Sequence, residues 1–374
     1  MTPVRAEIVV ELAAIRHNVA VLREHTATPV MTVVKADGYG HGLLPSARAA
    51  REGGADWLGV ATLDEAVALR EGGDTGRVLC WLGVPGEDYA AAIAADVDVT
   101  VYGEAELAEV VAAAGGRVPR VQVKVDTGLS RGGAPREQWH DLFAAAACLE
   151  REGRIRVTGV WSHFACSDEP DHPANDAQQA AFEDALALAT TAGLEPEVRH
   201  LANSAAAILR PAARYDLVRC GIASYGLDPA PGHTPDLGLV PAMTVQTVLA
   251  MTKQVEKGAG VSYGHTWTAE RATRLGLVPV GYADGVPRHA GNRAEVLVGG
   301  ARRPLRGRVC MDQVVVEVGP DDAAGDRVCL FGTGRDGEPT AQEWAEWCDT
   351  ISYEIVTRIG GRFVRRWDDG GAAR

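Results

Sequence analysis

Three observations predict an α/β chain built as a (β/α)8 TIM-type barrel followed by a mostly β C-terminal domain. Eight short apolar runs alternate with alanine-rich helical stretches, together filling roughly the length such a barrel needs. A Pro/Gly-rich joint, APGHTPDLG (230–238), follows. After it the helical periods thin out and turn-separated β-type runs take over.

In order, an amphipathic segment comes first (11–25), with Leu12, Ile15, Val19 and Leu22 on one helical face. The apolar runs are VMTVVK (30–35), WLGVAT (57–62), RVLCWLG (77–83), VDVTVY (97–102), RVQVKVD (120–126), RVTGVWSHF (156–164), EVRHLANS (197–204) and DLVRCGIASYG (216–226). In TLDEAVALREGG, Thr62 and Glu65 have the spacing of a capping box and Gly72 stands where the helix ends. An open doubly wound sheet fits the same alternation, because periodicity does not report closure. The expected domains are 10–233 for the barrel and 234–374 for the β domain, with residues 1–9 joining the latter. In that second domain MTVQTVLAMTKQV, TRLGLVPVGYADG, AEVLVGG and RVCMDQVVVEVG read as β, and TAQEWAEWCDT (340–350) as its one helix.

The chain has 374 residues, with 37 Lys+Arg against 50 Asp+Glu and a net charge of −13. That balance repels a phosphate backbone and gives no footprint for nucleic acid or an anionic membrane, which leaves a small molecule as the expected partner. The seven cysteines are scattered and never spaced C-x-x-C, so they read as reduced thiols, with neither a disulfide framework nor a metal site signalled. The opening MTPVRAEIVVELAAIRHNV lacks the parts of a secretory signal, and no later stretch approaches a membrane span. The expected location is the cytoplasm.

Catalytic groups of a TIM-type barrel come from the C-terminal ends of its strands. Five of the eight runs end in polar chemistry: Lys35; Lys124 and Asp126; His163; Asn203 and Ser204; and Arg219 with the Gly221–Ile222 backbone. A lysine in a partly desolvated cup has its pKa pulled down from roughly 10.4 and becomes a usable amine, as a Schiff base requires. A snorkelling strand-end lysine is the bland alternative, against which stand Tyr39 and the glycines beside it. Ser204 with the Gly221 and Ile222 amides has the form of a phosphate cup. Asn203 and Ser204 fit equally well as the cap of the next helix.

VVKADGYGHG, KVDTGLSR, HFA, ANSAA, VRCGIASYG, VSYGHT, GYADGVPR, RVCMDQ and ISYE occur in one order along nearly the whole chain. Together they resemble the alanine racemase family, pyridoxal-phosphate enzymes with an α/β barrel and a C-terminal β domain. The resemblance implies that Lys35 holds pyridoxal phosphate as a Schiff base and that Tyr39, Ser204, the Gly221 and Ile222 amides and Tyr353 bind its phosphate. Asn203 belongs to the same cup, and His163 lies against the pyridine ring. Arg219 faces the ring nitrogen, where a group that can only donate leaves that nitrogen unprotonated and limits side reactions such as transamination.

Racemisation needs two bases on opposite faces of Cα. By resemblance these are Lys35 and Tyr263, the tyrosine reaching into the partner subunit's site of a homodimer and aided by a relay through His163 to Arg219. By resemblance Lys124 carries a carbamate that orients Arg131 toward cofactor and substrate; a plain Lys124 paired with Asp126 is the alternative. Met311 and Asp312 contribute from the partner, Met311 through its amide on the substrate carboxylate; taken alone, VCMDQVVVEV reads as an edge strand. The implied activity is interconversion of L- and D-alanine, supplying D-alanine for peptidoglycan, with no metal. The alternatives are a racemase of serine or another small amino acid, including a self-resistance form in an antibiotic producer. Arg219 argues against a decarboxylase of this barrel class, and the second domain against a non-enzymatic pyridoxal-phosphate carrier. Three positions depart from the family pattern: Gly133 where asparagine is frequent, Leu201 where cysteine is, and Gly361 where proline is expected.

Overall fold

A computed structural model describes residues 5–370. By their contacts these fall into two compact units, one holding Ile15–Gly38 and Gly42–Leu239, the other Tyr39–His41, Val240 onward and the described residues up to Ala14.

The first unit is built on eight strands: β2 (Val30–Val33), β3 (Trp57–Val60), β4 (Arg77–Cys80), β5 (Asp98–Val101), β6 (Arg120–Lys124), β7 (Arg156–Trp161), β8 (Val198–His200) and β9 (Val218–Cys220), after a first strand β1 (Ala6–Glu11) that belongs to the other unit. All neighbours are parallel, in the order β8-β7-β6-β5-β4-β3-β2-β9. The gap between β8 and β9 is bridged by two backbone bonds, Asp216 N–H donating to Arg199 O (3.1 Å) and Arg219 N–H to Ala202 O (3.0 Å), so the ring is nearly closed. This near-closure decides for the barrel and against the open sheet.

Each expected run contains a strand, though two to eight residues shorter than its apolar stretch, largely because the chain leaves the ladder before the rim residues. The amphipathic segment is the helix Leu12–Thr26. Helix Leu63–Glu71 begins on the Thr62–Glu65 capping box, with both reciprocal bonds formed, and ends at Gly72. Met31, Trp57, Leu79, Trp161 and Leu217 form a buried cluster inside the ring. Below it, at the N-terminal ends of the strands, fully buried Asp98 accepts from Arg77 Nη2 (2.7 Å), Arg120 Nε (2.9 Å) and the Thr158 hydroxyl (2.6 Å), stitching β4 to β7.

The second unit contains β1, β10 (Met243–Val248), β11 (Met251–Val255), β12 (Gly260–Val261), β13 (Trp267–Thr268), β14 (Thr273–Val278), β15 (Glu295–Val298), β16 (Ala301–Pro304), β17 (Val314–Val318), β18 (Arg327–Phe331) and β19 (Val364–Asp368). One sheet runs β16-β15-β18-β10-β1-β19, another β11-β14-β17, and β12 pairs with β13. The N-terminal strand lies inside the larger sheet, antiparallel to β10 and parallel to β19, and buries every second residue. The expected helix is Ala341–Cys348, started by a Thr340–Glu343 capping box; a second one, Ser352–Arg358, follows directly.

Candidate active site

Two residues beyond β2, Lys35 opens a turn of reversed hand. Ala36 (φ 53°, ψ 52°), Asp37 (φ 53°, ψ 47°) and Gly38 (φ 61°, ψ 43°) all occupy the left-handed helical region. For a residue with a Cβ this costs about 1–2 kcal/mol. Only Gly38 takes the conformation freely, and a Cβ there would also press to 2.8 Å from Ser46 Oγ. Hydrogen bonds hold the strain: Gly38 N–H to Val34 O (2.8 Å), Gly42 N–H to Asp37 O (2.7 Å), Leu43 N–H to Asp37 Oδ1 (2.8 Å) and Ala36 N–H to Glu65 Oε1 (2.6 Å). Backbone strain of this kind concentrates at functional sites. The Lys35 amine lies 5.8 Å from the centre of the Trp81 ring. Burial lowers its pKa, Arg131 lowers it further, and Glu65 partly opposes them.

Around the ring, Trp161 organises three more groups. His200 stacks on it at 5.5 Å with planes 7° apart. The Arg219 guanidinium sits 4.8 Å from its centroid and the Lys124 amine 4.6 Å. Lys124 is 7 % exposed, and burial, then Arg219 and Arg131, bring its pKa down to about 8. Asp126 raises it only weakly, since that carboxylate turns to the Gly128 and Ser130 amides (2.9 and 3.1 Å). Arg219 donates from Nη1 to His200 Nδ1 (2.8 Å), and from Nη2 to Ser162 O (2.7 Å), Leu201 O (2.9 Å) and His163 Nδ1 (3.3 Å). Burial takes its pKa to about 9, still cationic at neutral pH. A guanidinium only donates, so both imidazoles must present an unprotonated Nδ1 to it. Burial and Arg219 accordingly push both ring pKa values well below 6.5.

Past β8, Asn203 caps the helix Ser204–Leu209: its Oδ1 accepts from Ala206 N–H (3.1 Å) and from the Ser167 hydroxyl (2.8 Å). Ser204 does something else, accepting the Gly221 N–H at 2.9 Å where the chain turns into the 3-10 segment Ile222–Tyr225. Hydroxyl and amides are thereby brought together beyond β8 and β9. Arg131 is exposed on the loop after β6.

The second unit holds the other candidates. Tyr39 is buried, its ring 6.2 Å from that of Tyr353 and tilted by 49°, and burial raises its pKa. Tyr263 is 70 % exposed, at the head of a turn entered through Ser262 in the left-handed region (φ 61°). The Ser262 hydroxyl donates to Arg308 O (2.6 Å), and a Cβ on Gly307 would stand 2.6 Å from Val261 O, so this glycine lets the two segments meet. Met311 is 53 % exposed. Residues 309–313 are a loop, not strand: the carbonyls of Cys310 and Met311 accept from Tyr282 and Ala283 (3.0 Å each), and the edge strand β17 begins only at Val314. Asp312 pairs with Arg362 Nη1 (2.6 Å), whose Nε and Nη2 hold buried Asp284 (2.7 and 2.8 Å).

The three departures have local explanations. Gly133 has φ 130° and a Cβ there would lie 2.7 Å from Asp126 N. Gly361 has φ 58°, which proline cannot adopt. Leu201 meets Arg219 through its carbonyl, which any side chain would supply.

Sequence reasoning did not single out Gln122, Trp161 or His200. The signal for Gln122 was present, since it shares a strand face with Lys124 at period two. Glu65 was read only as a helix cap; its second bond, to Ala36 N–H, is a tertiary contact with no local signature.

A desolvated lysine and a donor-only guanidinium at the C-terminal ends of the parallel strands are placed where a barrel enzyme carries its chemistry. The chain matches the family model for the alanine racemase N-terminal domain over residues 10–229 and that for the C-terminal domain over 242–367. It is 54% identical to an alanine racemase of Salinispora tropica, covering 98% of this chain and 99% of that one. Its structure is similar to that of alanine racemase from D-cycloserine producing Streptomyces lavendulae (TM-score 0.97, 50% identity, 99% and 98% covered) and from Streptomyces coelicolor (TM-score 0.95, 51% identity, 97% and 98% covered). The chain belongs to the alanine racemase family and is an isomerase.

Proposed function

We propose that this protein racemises alanine with pyridoxal phosphate as cofactor, as a homodimer with shared active sites, supplying D-alanine for peptidoglycan. The observation that carries the reading is Lys35: a strand-end lysine on a strained turn, with its pKa lowered by burial and Arg131. The donor set fits the cofactor. Lys35 offers the amine, Arg219 a fixed guanidinium for the ring nitrogen, His163 an uncharged ring to lie against it, and Ser204, Gly221 and Ile222 a hydroxyl and amides for the phosphate, with Asn203 ordering that corner; Tyr39 and Tyr353, whose rings neighbour each other in the β unit, are assigned to the phosphate by the family resemblance.

When bound, pyridoxal phosphate supplies the electron sink that acidifies the Cα–H of an amino acid. The residues of this chain then divide the proton transfer. Lys35 Nζ takes or returns a proton on one face of Cα, and the Tyr263 hydroxyl, supplied by the partner subunit, does so on the other. Arg131 and the amide of the partner subunit's Met311 hold the substrate carboxylate, and within each chain Asp312 orders the Met311 loop through Arg362. Lys124 is a candidate for carbamylation, since a buried amine with a pKa of about 8 has a far larger neutral fraction near neutral pH than a free lysine, and the anion formed would meet Arg131 and Arg219. The dimer is supported by the exposed large apolar residues Tyr263, Tyr282, Met311 and Ile351, a pattern that marks association surfaces.

The test is to incubate the protein with pyridoxal phosphate and L-alanine in D2O and follow chirality and mass together. D-alanine deuterated at Cα is the expected product; absence of both inversion and exchange overturns the reading.

A further inference from the structure

One buried amide, on the strand face below Lys124, has no role in the account above, yet the barrel is locally rebuilt around it. Gln122 lies where the β6–β7 register shifts, between Val121 and Gln122, so that Val121 faces Val157 but Gln122 faces Gly159. A bulge of this kind re-aims a side chain. Gly159 is the companion feature: a Cβ there would stand 2.7 Å from Gln122 Cδ and 2.8 Å from its Oε1. The shift and the glycine together make room for the amide, whose Oε1 lies 2.7 Å from His200 Nε2.

The direction of that bond follows from the far side of the ring. Arg219 occupies Nδ1 and only donates, so the single proton of neutral His200 is on Nε2, and Gln122 must answer with its oxygen. The amide nitrogen is consequently left with no hydrogen-bond partner although it is buried. A buried donor left unpaired in this way is destabilising. A glutamate would fit the same space with no orphaned donor, but its charge would favour an imidazolium. An imidazolium carries a proton on Nδ1 and can no longer accept from Arg219.

We propose that Gln122 is a positioning residue: its neutral carbonyl holds His200 uncharged and protonated at Nε2, which keeps Nδ1 open to Arg219 and the guanidinium docked. The proposal rests on the reading of Arg219 given under Proposed function. The charged or titratable groups that reach the ring are Arg219 on β9 and, against the same Trp161 on which it stacks, Lys124 on β6; His163 meets it only through Arg219. Burial and Arg219 disfavour a charge on it, which agrees with its lowered pKa.

The experiment uses the full chain with 15N only in histidine, with and without pyridoxal phosphate. Long-range 1H–15N correlation reports tautomer and charge directly, and His200→Asn assigns the signals. In the parent protein His200 is expected as the Nε2–H tautomer, without titrating over roughly pH 5.5–9. In Gln122→Glu it is expected to titrate inside that range. Its folded pKa is then raised, so the ring is charged below it and neutral again as pH rises. Turnover number should acquire an acid limb at the same pKa, about tenfold deep, with KM little changed. Gln122→Met, neutral and without an acceptor, should give no such limb.

An Nδ1–H tautomer in the parent, or no titration of His200 in Gln122→Glu, overturns the proposal. A titrating ring with a flat turnover profile supports the hold of Gln122 on His200 and overturns instead the reading of Arg219. Should Gln122→Glu not fold, Gly159→Ala drives a methyl into the amide: a shifted or split His200 Nε2–H signal supports the proposal, and an unchanged one overturns it.

Discussion

The candidate residues of the barrel and those of the β unit are displayed by opposite means. In the barrel Arg219 and Lys124 are buried and Lys35 half-buried, and each is held in place: Arg219 has four acceptors, Lys124 has an indole against it, and Lys35 rides on a turn tied at both ends. In the β unit Tyr263 and Met311 stand on exposed turns, fixed through their backbones while the side chains are left outside. Desolvation tunes the first set, as the lowered lysine and imidazole pKa values record. Residues of the second set acquire their environment only when something covers them, which is what a subunit interface does.

The sharpest break of this contrast is Lys35→Ala. Turnover of L-alanine is expected to fall about 10⁴-fold, because one residue serves as both cofactor amine and base. Thermal unfolding should move little, since the change removes a cation that burial and Arg131 already disfavour. A racemisation assay beside a melting curve checks both halves.

Next comes Tyr263→Phe, expected to lower turnover about 10²–10³-fold as the loss of one general acid-base group. With the ring 70 % exposed in the single chain, its stability effect should stay within about 0.5 kcal/mol. The two directions should suffer unequally, and deuterium wash-in at Cα from D2O should persist through Lys35. A loss of folding in step with activity would make Tyr263 a structural member of the β unit and erase the contrast.

How far the sequence could be read divides along the same line. Strand alternation, the Thr62–Glu65 cap and the strand-end polar residues are local patterns, and they carried the barrel and most of its rim. Gly38 was legible as a turn residue, but the reversed hand of Ala36 and Asp37 was not, because neither residue type favours it and distant bonds impose it. In the β unit β16, β18 and β19 escaped notice: the first is ARRP and the last VRRWD, charged sequences held in the sheet by their neighbours' hydrogen bonds. The VCMDQ loop read as strand because its valine and methionine mimic one, while its carbonyls serve Tyr282 and Ala283. The His200–Gln122 pair joins residues far apart in the chain, beyond any local pattern.

Lys124→Met sharpens the comparison through pH. A folded pKa of about 8 against 10.5 for a free lysine means that above about pH 8 the native chain has released a proton which the unfolded chain still holds. Stability should therefore rise with pH from about 8 to 10.5 in the parent and lose that rise in the variant. At neutral pH the variant should be more stable by about 1–3 kcal/mol, being freed of a buried cation beside Arg219 and Arg131. If Lys124 takes up CO2, bicarbonate should raise the melting temperature of the parent alone, and Lys124→Met should lose turnover about tenfold through a misoriented Arg131.

The smallest effect is expected where a barrel residue acts on Lys35 at one remove. Glu65 accepts from Ala61 and Thr62 with Oε2 (2.9 and 3.3 Å) and from Ala36 with Oε1 (2.6 Å), so one carboxylate ties a helix start to the strained turn after Lys35. Glu65→Gln keeps the shape but offers one acceptor where two are needed, which sets an amide NH2 against a backbone N–H on one side or the other. Stability should drop by about 1 kcal/mol. Removing the charge also removes the one influence that raises the Lys35 pKa, leaving burial and Arg131 unopposed. The pH at which Lys35 combines with pyridoxal phosphate, followed by absorbance, should therefore shift downward while turnover changes only a few-fold. A shift upward would mean that the turn had relaxed and let water reach the amine. That would make Glu65 a guard of desolvation at Lys35, for which Tyr263 and Met311, already exposed, have no counterpart.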